Sequence, residues 1–186
     1  MKIPTHAKKV YQGIIFSVYQ WEQELFDKSK ITYEAIRRRG SVVAIPVMNK
    51  KIIMQKEMQP NWTHEQIAVC AGKIDEGKSP DEMIQIELQE ETGLKAGKLE
   101  LLWEENEGGS KIDWPNFYYV AKNCTKIGEP KLEAGEKIEL FETTFEEFIK
   151  LSQHPDFRGK TIGKKILQII NNKTELEKFR KKIMDE

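Results

Sequence analysis

The sequence predicts an α/β protein, a sandwich in which a mixed sheet lies between helices. Strand-forming runs fill the first part of the chain and recur after position 97. One sharply capped helix separates the two groups, and amphipathic helical stretches close the chain. In order, "VYQGIIFSVYQWEQELF" is rich in β-branched and aromatic residues and reads as long strand. The polar turn "DKSK" leads into a second strand, "ITYEAIRRR". "SVVAIPVM" is nearly all apolar, as expected of a strand covered on both faces. It should pair with "IIMQKEM" through the turn "NKK". "QPNWTHEQ" is a loop, and "IAVCAG" is a short strand that delivers the chain to Gly72. "KLELLWEE", "NFYYVAKNC" and "KIELFE" supply three further strands. "TFEEFIKLSQ" is a short helix with Thr144 as N-cap. The C-terminal stretch from Gly163 is helical, with Ile166, Ile169, Ile170, Leu176, Phe179 and Ile183 as its apolar stripe.

The mid-chain helix carries the chemistry. Ser79 and Pro80 are a helix start, Glu82 completes a capping box, and Gly93 is the stop. Wound at about 100° per residue, Asp81, Glu82, Gln85, Gln89 and Thr92 gather on a polar face. Glu87, Glu90 and Glu91 fall instead among Met83, Ile84, Ile86 and Leu88. Like charges three and four residues apart repel on a helix surface. Turned toward the protein they are costlier still, unless a cation offsets them. No lysine or arginine shares that face, so a divalent cation with oxygen ligands, Mg²⁺ or Mn²⁺, is the simplest remedy.

Composition narrows the function classes. The 186 residues include 30 basic and 30 acidic side chains, a neutral balance that provides no footprint for nucleic acid or a membrane surface. Cys70 and Cys124 suit a reducing compartment better than a disulfide framework. The N-terminus lacks a signal-peptide core, and no apolar run approaches the roughly 20 residues of a membrane span. A cytoplasmic, soluble protein is the expectation.

With the glycine and acids in place, the segment resembles the Nudix hydrolase box, G-x5-E-x7-R-E-U-x-E-E-x-G-U, where U is aliphatic. Gly72, Glu87, Leu88, Glu90, Glu91, Gly93 and Leu94 match. Lys78 stands in place of the first Glu and Ile86 in place of the Arg. In the family these two pair and brace the loop against the helix, and losing both together avoids leaving one charge unpaired. "AGKIDEG", the strand-rich N-terminus and the late "EAGEKIEL" look like the ADP-ribose pyrophosphatase branch.

That resemblance implies a Nudix α/β/α sandwich over residues 41–186, including the C-terminal helices. Residues 1–40 would be an extension of antiparallel strands that embraces a second subunit in a homodimer. It implies metal ligation by Glu87, Glu90, Glu91 and the backbone of Ala71. Glu136, with Glu133 second, matches the acid that activates water in this branch. Trp62 and Trp114 are candidates to stack on a base or ribose, or else to pack at the rim. Arg37, Arg38 and Arg39 form a basic run, with Arg39 the candidate phosphate contact or else a solvated strand end. His64 and His154 have no partner pattern. The implied reaction is metal-dependent cleavage of the pyrophosphate in ADP-ribose or a nucleotide sugar. The alternative is a degenerate domain that binds a nucleotide or a protein without turnover.

Overall fold

A computed structural model describes residues 1–184; Asp185 and Glu186, which end the predicted C-terminal helix, lie outside them. The N-terminal run is two strands rather than one. β1 (Lys8–Gln12) and β2 (Phe16–Glu24) are antiparallel, separated by a turn in which the Gly13 N–H donates to the Phe16 carbonyl at 2.8 Å. β3 (Lys30–Arg38) pairs with β2 along its whole length. Trp21, Ala35 and Ile3 form the small core of this sheet.

The main sheet begins with β4 (Ser41–Met48) and β5 (Lys51–Met58), joined at Asn49 and Lys50. Both linking residues have positive φ, 50° and 61°, as the tightest right-twisting hairpin requires. β6 (Gln66–Ala68) pairs with β5, and β7 (Ala71–Lys73) pairs with β4. Next come helix α1 (Pro80–Thr92), β8 (Leu94–Lys95), β9 (Lys98–Asn106), β10 (Ile112–Asp113), β11 (Pro115–Lys122), β12 (Thr125–Lys126) and β13 (Lys137–Thr143). The main sheet runs β13-β5-β4-β11-β9, with β4 and β11 parallel and the other neighbours antiparallel, so the expected mixed sheet is present. β10 joins β3 in parallel and ties the N-terminal sheet to the rest, with Arg37 Nη2 on Asp113 Oδ2 at 3.0 Å.

Alternation along the strands builds a core on each face. Val42 and Ala44 of β4 and Tyr119 and Ala121 of β11 pack with Met83, Ile84 and Leu88 of α1. Ile45, Val47, Tyr118 and Val120 face the opposite way, toward α2 (Phe145–Leu151), α3 (Lys160–Ile169) and α4 (Lys173–Met184). Thr144 caps α2 in a capping box with Glu147. The C-terminal stretch is two helices rather than one. It breaks at Asn172, whose side chain accepts from the N–H groups of Thr174 (3.1 Å) and Glu175 (3.2 Å) and so starts α4.

Candidate active site

α1 begins and ends where its caps dictate. Ser79 and Glu82 form the reciprocal capping box, and Gly93 ends the helix at φ 69°. Its acids are not equivalent. Glu91 is only 4% exposed and Glu87 is half-buried, whereas Glu90 is exposed and Thr92, expected on the polar face, is buried. The last turn of α1 thus buries Glu91 and Thr92 and leaves Glu90 at the rim. The Glu90 carbonyl accepts the Lys131 N–H at 2.7 Å.

Two donors hold the Glu91 carboxylate. Its Oε2 accepts from Gln55 Nε2 at 2.9 Å and from the Ala71 N–H at 3.1 Å. Burial nevertheless pushes this carboxyl up to about 7, against the opposing pull of the bonds from Gln55 and Ala71. Glu87 is pushed up to about 8, first by burial and then by the charges of Glu91, Glu90, Glu136 and Glu133. That list of neighbours places the late loop beside the helix. The loop is fastened there by the Lys131–Glu90 bond and by the Ile127 N–H on the Gly93 carbonyl at 2.9 Å. Within it, the Glu133 N–H donates to Glu136 Oε2 at 3.1 Å. Burial also raises the Glu136 carboxyl.

The departures from the box sit as the sequence suggests. Lys78 is exposed, and Ile86 packs against the core beneath α1.

A carboxylate pair this crowded fits an oxygen-seeking divalent cation, which would relieve the repulsion that raises both groups. Among the described residues, no three His, Cys, Asp or Glu side chains converge into a ready-made cage. Glu87 and Glu91 would leave the rest of such an ion's shell to backbone, substrate and solvent oxygens.

The remaining predicted residues lie outside the acid cluster. Trp62 is half-buried in the loop before β6, with the Arg158 guanidinium over its ring at 5.2 Å. Trp114 donates from Nε1 to Ser41 Oγ at 3.2 Å and lies under Arg38, 4.1 Å from the ring centre. Arg39 points elsewhere and meets Asp75 at 3.6 Å. His64 and His154 flank Asp156 at 3.3 and 3.7 Å.

Three site residues escaped the sequence reading: Gln55, Glu57 and Arg158. Gln55 and Glu57 are 1% and 2% exposed, alternate along β5, and face the α1 side with Ile53. Their spacing in the otherwise apolar "IIMQKEM" was a usable signal, because two buried polar residues on one strand face need partners. Arg158 forms an ion pair with Glu57, and no local pattern marks it.

The sequence profile of the NUDIX domain matches residues 37–164, more than half of the chain, and the chain belongs to this family. It is similar to the ADP-ribose pyrophosphatase of Bacillus subtilis (strain 168), with 26% identity over 146 residues, 77% of this chain and 79% of that protein. It is equally similar to the methanol dehydrogenase activator of Bacillus methanolicus, with 26% identity over 159 residues, 84% of this chain and 86% of the relative. A crystal structure of an ADP compounds hydrolase superposes with a TM-score of 0.71 at 20% identity, covering 89% of this chain and 90% of the other, a likeness of fold. Fold and family together make the chain a Nudix pyrophosphohydrolase, similar to the ADP-ribose pyrophosphatases.

Proposed function

We propose that the protein hydrolyses the pyrophosphate of ADP-ribose or a nucleotide sugar in the cytoplasm, with Mg²⁺ or Mn²⁺ as its cofactor. The observation that carries this reading is the buried Glu91 carboxylate, oriented by Gln55 and Ala71 beside a Glu87 that is crowded by like charges. Glu87, Glu91, the Ala71 carbonyl and, at the rim, Glu90 would hold the metal. Bound there, it would neutralise phosphate oxygens and acidify water. Glu136 is the proposed proton acceptor, with Glu133, which shares its loop, second. Burial and the neighbouring acids keep Glu136 a stronger base than a surface carboxylate. Trp62 and Trp114 would stack on the base or ribose, and Arg39 would exchange Asp75 for a phosphate.

We further propose a homodimer in which residues 1–40 form an extension distinct from the catalytic unit of residues 41–186. The exposed apolar side chains Tyr11, Ile14, Ile15, Phe16 and Phe26 all belong to that extension. A second copy of the chain would cover them.

Product analysis tests the activity. ADP-ribose, a nucleotide-sugar panel and 8-oxo-dGTP are each incubated with Mg²⁺, Mn²⁺ or EDTA, beside Glu91→Gln. The expected result is metal-dependent release of a nucleoside monophosphate from ADP-ribose or a nucleotide sugar, lost in the variant. Nucleotide binding without turnover of any compound would replace the hydrolase with the degenerate binding module.

A further inference from the structure

Resting on the pyrophosphohydrolase reading, we infer that Arg158 is a phosphate-contacting residue of this active site, held ready for the diphosphate by Glu57 and Trp62. It comes from the segment between α2 and α3, far in sequence from the box, and the fold brings it to the acids by an unusually direct route. The Arg158 N–H donates to the Ile67 carbonyl at 2.8 Å, and the Ile67 N–H donates to the Asp156 carbonyl at 3.0 Å. Phe157 bridges Ile67 and is fully buried. The segment is thereby stitched to β6, the strand that runs toward Ala71 and Gly72.

The side chain is restrained as well. One guanidinium nitrogen, Nη1, pairs with Glu57 Oε2, and the plane lies over the Trp62 ring at 5.2 Å. Glu57 is itself held by Gln59, whose Nε2 donates to the other carboxylate oxygen at 2.8 Å. A guanidinium has five N–H donors in a fixed fork. Among the described residues only Glu57 accepts from this one, and the Arg158 side chain remains 40% exposed. A preorganised fork with unused donors is the geometry that binds phosphate oxygens.

Its surroundings select the same ligand. The charge of Arg158 reaches Glu136, which it pulls down against the effect of burial, and it also reaches Arg38, which it helps push down after burial. Arg158 is thus within electrostatic reach of both the proposed base and a second guanidinium, which itself is stacked on Trp114. Two guanidiniums within electrostatic reach of one another, each over an indole ring, repel, and a bound dianion would relieve that repulsion. α1 offers no substitute, because it carries no lysine or arginine between Pro80 and Thr92.

Binding and kinetics of Arg158→Ala, Arg158→Lys and the double variant Glu57→Gln/Arg158→Ala test the assignment. Removing Arg158 alone strands the buried Glu57 charge, so the double variant separates folding from function. For ADP-ribose, Arg158→Ala is expected to raise KM about tenfold to hundredfold with a smaller change in kcat, as loss of a charge-assisted contact implies. Inhibition by AMP should weaken in step, while inhibition by adenosine, which lacks a phosphate, should not change. Arg158→Lys should recover only part of the loss. The double variant should recover thermal stability without recovering KM. Recovery of both would overturn the assignment, since Arg158 would then only neutralise Glu57. Calorimetric binding of ADP-ribose in EDTA compares wild type with Arg158→Ala without any turnover. Equal affinities overturn the Arg158 assignment, whereas an inactive wild type whose binding still depends on Arg158 overturns only the hydrolase reading.

Discussion

The backbone of Gly72 lies directly against the carboxylate of Glu87: a Cβ built on Gly72 would stand 1.8 Å from Glu87 Oε1 and 1.9 Å from its carboxyl carbon. What a side chain at this position would meet is the flexible end of Glu87 and not backbone, and the φ of Gly72 lies outside the left-handed region. Gly72→Ala must move Glu87 or the strand. Because a shift of about 1 Å in a catalytic group can cost about 100-fold in rate, we expect kcat/KM to fall by about that factor. Gly128→Ala is the control: nothing lies within 4 Å of its added Cβ, and steady-state kinetics should be unchanged.

Glu91→Gln keeps the shape of the buried side chain and removes its charge. The Gln55 and Ala71 donors can still meet an amide oxygen. Turnover should fall by at least about 100-fold, while the melting temperature measured in EDTA should rise, because a desolvated carboxylate is gone. The melting shift produced by added Mg²⁺ should shrink toward zero. A variant that melts well below wild type would show instead that the carboxylate stabilises the fold.

The pH dependence has a defined sign. Glu87 and Glu91 titrate near 8 and 7 in the folded protein, against 4.5 for an ordinary glutamate. Between 4.5 and about 8 the folded state thus binds more protons than the unfolded one, so stability falls as pH rises through that window. Metal-free protein should melt higher at pH 6 than at pH 8. Saturating Mg²⁺ should flatten the slope, and so should Glu87→Gln. Differential scanning fluorimetry across pH, with and without EDTA, measures all three.

Ile86 packs against the core under α1 whereas Lys78 is exposed, so restoring the box pair one residue at a time should be unequal. Lys78→Glu alone should leave stability within about 0.5 kcal/mol. Ile86→Arg alone should cost about 1–3 kcal/mol, having exchanged packed apolar surface for an unpaired charge. The double variant should recover part of that loss. Urea unfolding of the four proteins provides the cycle, and strict additivity would rule out a brace at these positions.

Ile14 is 97% exposed, and Phe26 is as exposed as a side chain can be. Ile14→Glu with Phe16→Glu should convert the proposed dimer to a monomer by light scattering without lowering the melting temperature of the catalytic unit. A wild-type monomer would remove the dimer from consideration.

Local signals made much of this molecule legible. Ser79, Pro80, Glu82 and Gly93 mark α1 because caps act within a few residues of themselves, and the structure places its ends at Pro80 and Thr92. The apolar run of β4 and the Asn49–Lys50 turn were legible for the same reason. The helical wheel erred at Glu90 and Thr92, because it carries angle but not what later segments lay against the helix end, here the loop fastened by Ile127 and Lys131. Two breaks were missed, at Gly13 and Asn172, where one polar or flexible residue interrupts a pattern that continues on both sides. Gln55 and Glu57 needed knowledge of which face β5 turns toward α1. Arg158 needed the pairing of β6 with the segment before α3, a contact made only in three dimensions.

β5 holds both polar residues that orient the site, on the same face and two positions apart, and β13 pairs with it continuously from Lys51's neighbour Ile52 to Met58. A chain that folded with β5 displaced by one residue would keep its strands and helices, yet Gln55 and Glu57 would turn to the opposite side of the sheet. Such molecules would pass every test of secondary structure and fail at the bench. For preparations recovered by refolding, the fraction of competent molecules should therefore be counted by active-site titration, because circular dichroism is blind to the difference.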